Sequence, residues 1–379
     1  MSYLEYTVKH TPSGLRKLAY LNWPLVLLLL AVAGVGFLML YSVAGGSFSP
    51  WAEPQMKRFA LGLGVMVALA MVPIWFWRSI SGAAYLFSLI LLVAVELFGA
   101  VGMGAQRWID LGFMRLQPSE LTKITMVMML AAYYDWLPAK KISRPLWVLL
   151  PVLLILIPTA LVLRQPDLGT SILLLAAGGG LMFLAGVHWA YFAAVIAAGT
   201  GLVVAVFQSR GTSWQLLKNY QYRRIDTFLD PSSDPLGAGY HITQSKIALG
   251  SGGVTGRGFM QGTQSRLNFL PEKHTDFIFT TLAEEFGFVG GVSLLVLYAL
   301  IVLFCTTTAL ATSNRYASLV TLGIAINFFL FFAVNMSMVM GLAPVVGVPL
   351  PMVSYGGSAM LVLMAAFGIV HSANVHRPR

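Results

Sequence analysis

Long apolar runs recur along the whole chain, and they constrain the fold more than any other feature of the sequence. Each run approaches 20 residues, which as an α-helix is long enough to cross a hydrocarbon core about 30 Å thick. Apolar residues make up 58% of the 379 residues and charged residues only 10%. A soluble fold is therefore excluded, and the sequence predicts an all-α, polytopic membrane protein.

Ten segments of the chain are predicted to span the membrane, although the fourth and sixth are short enough to be partly re-entrant. We expect one integral membrane domain, 1–379, with no cleavable signal at its start. Its parts outside the spans are a cytoplasmic segment 1–22, a large extracytoplasmic loop 208–287 between helices 7 and 8, and a cytoplasmic tail 374–379. The predicted spans are 23–43, 59–75, 83–101, 121–136, 146–163, 170–186, 190–207, 288–309, 317–340 and 356–373.

Lysine and arginine are distributed unequally between the two sides that these spans define. The chain holds 24 of them against 14 acidic residues. With the N-terminus inside, ten lie at cytoplasmic ends and five in short outer loops, which favours both termini in the cytoplasm. The net charge of +10 is then explained by anionic lipid, and nucleic acid is not expected as a partner. The large loop faces outward, where ATP is not available.

A polar, glycine-rich stretch at 240–287 stands out within that loop. Its five glycines between Gly250 and Gly258 match neither nucleotide-binding spacing, G-x-x-x-x-G-K-[ST] or G-x-G-x-x-G. Two interpretations remain open. The glycines form a flexible turn with positive φ values, or their backbone amides and Arg257 approach a phosphate-bearing ligand.

Asp276 lies where this polar loop becomes an apolar helix. One interpretation is a helix N-cap, since a short polar side chain there satisfies free N–H groups. The other is a carboxylate at the membrane surface that takes a proton from a sugar hydroxyl. The neighbouring His274 is more typical of a structural or hydrogen-bonding residue than of a metal ligand, because no second histidine stands at metal spacing.

Several ionisable residues sit at the ends of the predicted spans. Glu120 and Lys123 share a helix face at i, i+3, as either a packing ion pair or a functional pair. Gln165 and Asp167 belong to a broken hinge between spans, and 348–358 is rich in proline and glycine. These interrupted outer elements are predicted to converge on one face, which suits a ligand with a charged head and a lipid tail.

At these residues the sequence resembles the SEDS (shape, elongation, division, sporulation) family over nearly its whole length. Gly262-Thr263-Gln264-Ser265 and Val348-Pro349-Leu350-Pro351 resemble the elongation branch rather than the division branch. The other matching motifs are Gly104-Ala105-Gln106-Arg107-Trp108-Ile109, Gln117-Pro118-Ser119-Glu120, Gln165-Pro166-Asp167-Leu168-Gly169-Thr170, Phe269-Leu270-Pro271-Glu272-Lys273-His274-Thr275-Asp276-Phe277-Ile278-Phe279 and Ser354-Tyr355-Gly356-Gly357-Ser358.

The resemblance implies a ten-helix peptidoglycan glycosyltransferase that polymerises lipid II into β-1,4-linked glycan strands on the outer face of the cytoplasmic membrane. It implies a class B penicillin-binding protein, other elongation-complex membrane proteins and membrane lipid as partners. By this resemblance Asp276 is the catalytic aspartate. We expect nine substrate-binding residues around it: Glu120, Lys123, Arg107, Asp167, Gln165, Lys246, Arg257, His274 and Ser354.

Two questions stay open at this stage. The cation that neutralises the leaving diphosphate is a lysine or arginine or a divalent ion, Mg²⁺ or Mn²⁺, so the cofactor is either none or such an ion. The alternative function is a lipid II flippase or transporter, because ten spans with intramembrane charges also suit a carrier. A scaffold for the cell-wall machinery is a third possibility.

Overall fold

The computed structural model describes residues 12, 14–102, 105–110, 112, 115–231, 234, 238–267 and 272–377, and most of them are α-helical. Parts of two of the matching motifs, residues 104 and 269–271, lie outside these ranges, as do residues 1–11 and 378–379 of the termini. The α-helices in chain order are α1 Trp23–Val43, α2 Ala52–Met71, α3 Ile74–Phe98, α4 Pro118–Trp136, α5 Pro145–Arg164, α6 Leu168–Leu184, α7 Trp189–Gln208, α8 Asn219–Leu229, α9 Ala238–Ser251, α10 Thr263–Arg266, α11 Ile278–Leu310, α12 Arg315–Val339 and α13 Gly357–Val375.

Each of the ten predicted spans overlaps one of these helices. Among the described residues, seven helices are both long and apolar enough to cross a membrane: α1, α3, α5, α7, α11, α12 and α13. The apolar helix α6 is shorter, with 17 residues. The helices α2 and α4 are long, but each begins with polar residues, Glu53 in α2 and Glu120 in α4.

Three predicted boundaries are wrong by seven to ten residues. The helix α2 begins at Ala52 rather than 59, α3 begins at Ile74 rather than 83, and α11 begins at Ile278 rather than 288. In each case the missed turns are less apolar than the rest of the helix. At Gly287 the backbone of α11 leaves helical geometry, with φ 65° and ψ −160°, so the helix is broken near the predicted start.

A small antiparallel sheet between α3 and α4 corrects the all-α expectation. Its strands are β1 Ala100–Gly102, β2 Ala105–Asp110 and β3 Arg115–Leu116, in the order β1-β2-β3. Ile109 pairs with Leu116 and Asp110 with Arg115. The strands are too short for a period-2 pattern to be recognised in the sequence, and the sheet presents Arg107 on its central strand.

The core of the bundle is built mainly from α12 and the helices around it. The ring of Tyr298 in α11 stacks on Phe332 of α12 at 4.9 Å, and Phe328 of α12 meets Phe367 of α13 at 5.5 Å. By contrast, none of the residues of α7 is buried. Three loops meet at one end of this bundle, where the candidate site lies. They join α1 to α2, α5 to α6, and α12 to α13.

Candidate active site

Asp276 lies in a turn that immediately precedes α11. The amides of Thr275 and Phe277 both donate to the carbonyl of Glu272 at 3.2 Å, which closes the turn. The N-cap of α11 is Phe277, where no side-chain cap hydrogen bond is made. Asp276 is therefore not the helix cap, and the interpretation of its carboxylate as a capping group is wrong.

Two other elements hold the backbone of this turn. The Ser354 hydroxyl donates to the carbonyl of Thr275 at 2.5 Å, and the amide of Tyr355 donates to that of His274 at 2.9 Å. From α12, the Asn335 amide donates to the carbonyl of Asp276 at 2.9 Å and to that of Val348 at 2.7 Å. Three consecutive carbonyls of the turn are thus fixed, which positions the Asp276 side chain.

The surroundings of Asp276 favour its protonated form more than water does. Burial and, as the smaller cause, the negative charge of Glu272 together raise the pKa of this carboxyl to about 6. A Cβ placed on Gly347 would lie 3.6 Å from Asp276 Oδ2, so the carboxyl faces the loop before α13. A carboxylate with this pKa accepts a proton readily near neutral pH.

His274 is packed as a structural residue beside the carboxylate. Its ring stacks on Trp51 with centroids 4.6 Å apart and lies 6.2 Å from the ring of Tyr355. Burial lowers its pKa, so the imidazole is neutral at pH 7. The structural interpretation of His274 fits these contacts.

Glu120, Lys123 and Ser354 come together at one cavity. Lys123 Nζ lies 2.7 Å from Glu120 Oε1 and 3.7 Å from the centre of the Phe331 ring, and both charged residues are buried. The cavity that they line with Gln55 has a volume of about 50 Å³. Pockets for drug-sized ligands occupy about 300–1,000 Å³, so this conformation admits water rather than a sugar.

Arg107, Gln165 and Asp167 hold the outer loops together rather than lining that cavity. The Arg107 guanidinium donates to the carbonyls of Gln165 at 3.0 Å and Pro166 at 2.5 Å. The Asp167 carboxylate caps α6 by accepting from the amide of Thr170 at 3.1 Å. The Gln165 amide donates to the carbonyl of Leu92 at 3.2 Å. The convergence of these elements was predicted correctly, and their binding role stays a prediction.

The glycine-rich loop forms a turn that packs on α11. Gly253, Gly256 and Gly258 have positive φ values of 55°, 81° and 106°, as one interpretation of the sequence predicts. The amide of Arg257 donates to the carbonyl of Glu284 and that of Gly258 to the carbonyl of Glu285, both at 3.0 Å. A Cβ on Gly252 would lie 2.0 Å from the carbonyl oxygen of Ala283, so the chain approaches the helix too closely for a side chain. The turn is therefore packed rather than loose, and its approach to a phosphate-bearing ligand stays a prediction.

The two remaining predicted cations differ in their surroundings. The guanidinium of Arg257 donates to Thr263 Oγ1 at 3.0 Å and to the carbonyl of Ser251 at 3.3 Å, so it braces its own loop. Lys246 is exposed on α9, and its Nζ would be 2.8 Å from a Cβ on Gly341. Both side chains are exposed, and of the two only Arg257 makes hydrogen bonds within its own loop.

Two buried carboxylates in α11 were not predicted to matter, although the sequence shows them as an acidic pair in an apolar helix. Glu284 Oε1 accepts from the amides of Thr263 at 2.8 Å and Gln264 at 3.1 Å. Glu285 accepts from the Ser42 hydroxyl of α1. These bonds fasten the loop and α1 to the first turns of α11, directly after Asp276.

Another group that sequence reasoning missed lies in the first turns of α2. Trp51, Gln55 and Arg58 follow i, i+4, i+7 spacing and share a helix face. Gln55 donates to the carbonyl of Ser354 at 3.1 Å, and the Arg58 guanidinium carbon lies 5.0 Å from the centre of the Tyr355 ring. The spacing was a usable signal, but these residues had been assigned to a loop.

The described side chains that could bind a metal ion are scattered. Within them, no group of three or more His, Cys, Asp or Glu side chains is arranged to hold a metal ion. The carboxylates of Asp276 and Glu272 alone do not make a divalent-metal site of the usual six or more oxygen ligands.

The fold and the site together define a multi-pass membrane protein whose loops at one end of the bundle surround a fixed carboxylate. The family model FtsW/RodA/SpoVE, described as "Cell cycle protein", matches residues 22–379, and the chain belongs to this family. The resemblance to the SEDS family is thereby confirmed.

Named relatives and solved structures agree with this assignment. The chain is 43% identical to peptidoglycan glycosyltransferase MrdB of Escherichia coli K12 over 94% of each chain. It is 36% identical to the probable peptidoglycan glycosyltransferase FtsW of Thiomicrospira cyclica, over 92% of this chain and 90% of that one.

Among solved structures, it matches the rod shape determining protein RodA of Thermus thermophilus with TM-score 0.71 and 28% identity, covering 95% of this chain and 98% of that one. It also matches a chain of a peptidoglycan synthase complex that coordinates polymerization and crosslinking. That match has TM-score 0.81 and 31% identity, and covers 93% of this chain and 97% of the other.

Proposed function

We propose that this chain is a peptidoglycan glycosyltransferase that polymerises lipid II into β-1,4-linked glycan strands during cell elongation and rod-shape maintenance. The relatives' names support the activity, and the similarity to RodA supports the role in shape. The observation that carries the chemistry is the Asp276 carboxyl, with a pKa of about 6, in a turn whose three carbonyls are fixed by hydrogen bonds.

Asp276 acts as the general base in a single displacement. Its carboxylate takes the proton from the 4-hydroxyl of the acceptor sugar as that oxygen bonds to the anomeric carbon of the donor. The bond from the anomeric carbon to the diphosphate oxygen breaks, and undecaprenyl diphosphate leaves with the electron pair. An α-linked donor gives a β-linked product by inversion. A positioned base contributes about 10²- to 10⁴-fold.

The surrounding residues are proposed to bind the substrate, and the positions of some of them support this. His274 belongs to the turn, Lys246 is exposed on α9, and Ser354 joins the turn to the cavity lined by Glu120 and Lys123. Arg107, Gln165, Asp167 and Arg257 support the loops that substrate crosses. The proposed cofactor is either none or a divalent cation, Mg²⁺ or Mn²⁺, that would neutralise charge on the substrate's diphosphate.

The assembly and orientation follow the same proposal. The chain lies in the bacterial cytoplasmic membrane with both termini inside and Asp276 outside, as the lysine and arginine distribution favours. A class B penicillin-binding protein cross-links the strands beside it. The similarity to a chain of a complex that coordinates polymerization and crosslinking supports that partner.

A lipid II flippase is the second candidate, and one observation favours it. The buried Glu120–Lys123 pair lines a cavity within the helical bundle, where a carrier places polar groups. The outward Asp276 turn favours the polymerase, since a flippase needs no base there.

Polymerisation in detergent separates the two functions, because no transbilayer movement is needed there. The purified chain with its transpeptidase partner is incubated with labelled lipid II, with and without a chelator, and the products are resolved by length. The proposed function predicts glycan strands. No strands, together with lipid II translocation in vesicles, would support the flippase instead.

A further inference from the structure

The first two turns of α2 form one wall of the site. Trp51 stacks on His274 at 4.6 Å, and the Gln55 side chain binds both sides of the 354–356 segment. Arg58, one turn further along the same face, lies over the ring of Tyr355. Tyr355 in turn donates its amide to the carbonyl of His274 at 2.9 Å. Arg58 is therefore connected to the Asp276 turn through a single residue.

The guanidinium of Arg58 is incompletely satisfied at this position. Its Nη1 is buried without a hydrogen-bond partner, while the residue as a whole is only partly buried. A cation over an aromatic face is stabilised, but the N–H groups of the guanidinium still need hydrogen-bond acceptors. Arginine matches phosphate oxygens in pairs, so the missing partner fits an anion of that shape.

Other basic residues nearby are already engaged. The N–H groups of Arg107 donate to two carbonyls, Lys123 is sealed against Glu120, and Arg257 braces its own loop. Next to Arg58, Lys57 is exposed and paired with Glu53 at 2.6 Å. Lys246 of α9 is exposed, and its Nζ would lie 2.8 Å from a Cβ on Gly341.

We propose that Arg58 binds the diphosphate of a lipid-linked substrate beside the Asp276 turn. This inference rests on the proposed function for its substrate class. The first turns of α2 hold Arg58 beside Tyr355 and the segment 354–356, so a diphosphate bound by Arg58 lies next to the Asp276 turn. A positive charge here stabilises the bound diphosphate and, as the glycosidic bond breaks, the charge that develops on the leaving group.

Binding of undecaprenyl diphosphate tests this without any turnover. The full chain in nanodiscs is titrated with undecaprenyl diphosphate and, for comparison, with undecaprenyl phosphate. The variants are Arg58→Gln, Arg58→Lys and the matched neighbour Lys57→Gln, each checked for folding by thermal unfolding. Arg58→Gln is expected to weaken diphosphate binding about tenfold, the loss of one charge-assisted pair. Arg58→Lys weakens it less, and Lys57→Gln leaves it unchanged.

Wild-type binding by a folded Arg58→Gln variant would overturn the inference. If that variant does not fold, Arg58→Lys decides, because wild-type binding by it contradicts recognition by the guanidinium fork. Loss of binding in Lys246→Gln but not in Arg58→Gln would place the diphosphate at α9 instead of α2 and would contradict the inference. If the wild-type chain does not polymerise lipid II, the proposed function fails but the binding result still stands. If Arg58→Gln has a normal KM for lipid II, this inference alone fails.

Discussion

At the scale of residues, Asp276 and His274 are two positions apart and differ in what their surroundings do to them. Burial raises the pKa of the carboxyl and lowers that of the imidazole, so both neutral forms are favoured. The sequence singled out Asp276 at a loop-to-helix junction, and the resemblance to the SEDS family implied its catalytic role. Its pKa was not predictable, since it depends on Glu272 and on loops distant in the chain.

The pH dependence of polymerisation follows from that pKa. A carboxylic acid with a pKa of about 6 is a base only above that pH, so activity is expected to fall as the pH drops through 6. Glu272→Gln removes the nearby negative charge and moves this limb to lower pH. The change is partial, because burial is the larger cause. Measuring kcat against pH checks it.

The control for that experiment is Glu53→Gln, which changes an exposed glutamate paired with Lys57 in the same half of the molecule. Its profile is expected to match the wild type. An unmoved acidic limb in Glu272→Gln would show that Asp276 is not the titrating base.

The buried Glu120–Lys123 pair makes a second prediction. Glu120→Gln leaves the Lys123 charge without its partner, and breaking a buried pair in this way costs about 3–5 kcal/mol. The double variant Glu120→Gln/Lys123→Met removes both charges and is expected to regain part of that loss. Thermal unfolding of the purified protein in detergent measures both. A single variant as stable as the wild type would mean that the pair is not a structural element.

At the scale of elements, the glycine-rich loop and the broken start of α11 form one unit. The amides of Phe288 and Val289, directly after the Gly287 break, donate to the carbonyls of Gly253 at 2.9 Å and Val254 at 3.1 Å. The break frees these amides from the helix, and the loop supplies their acceptors. The loop therefore fixes the start of the helix that carries Asp276 at its entrance.

Two glycines of this unit form a matched pair for testing it. A Cβ on Gly252 would meet the carbonyl of Ala283 at 2.0 Å, whereas one on Gly250 meets nothing within 4 Å. Gly252→Ala is expected to displace the loop and lower both activity and melting temperature, and Gly250→Ala to change neither substantially. Equal behaviour of the two variants would contradict the close packing of the loop on α11.

Hydropathy predicted where the membrane helices lie but not where α2, α3 and α11 start. The outer turns of α2 were assigned to a loop because Glu53, Gln55, Lys57 and Arg58 lower the local apolarity. These are the turns that contact the site. The packing of the glycines was not predictable either, because they contact residues about 30 positions later in the chain. No local sequence pattern indicates such a contact.

At the scale of the whole molecule, the orientation of the bundle decides which substrates reach the site. The outer elements converge as predicted, because alternate loops of a multi-pass chain emerge on the same side of the membrane. An outward site requires a substrate that is already activated, and a lipid diphosphate meets that need. The packing of the partner depends on surfaces that neither composition nor periodicity distinguishes.

Cysteine labelling in intact cells tests that orientation. The single native cysteine, Cys305, is buried and gives little background. Thr255→Cys in the large loop is expected to react with a membrane-impermeant maleimide. Ser313→Cys, exposed between α11 and α12, is expected to react only after the cells are permeabilised. The opposite pattern would place Asp276 in the cytoplasm and exclude the proposed reaction.

Asp276→Asn provides the most direct test of the central claim, that this carboxylate is the base of a glycan polymerase. The variant is purified with its transpeptidase partner and given lipid II in detergent at a pH above 6, beside the wild type. Asparagine nearly preserves the size and removes the base, so glycan synthesis is expected to fall about 10²- to 10⁴-fold while the fold and the complex persist. Glycan strands made at the wild-type rate would contradict the assignment.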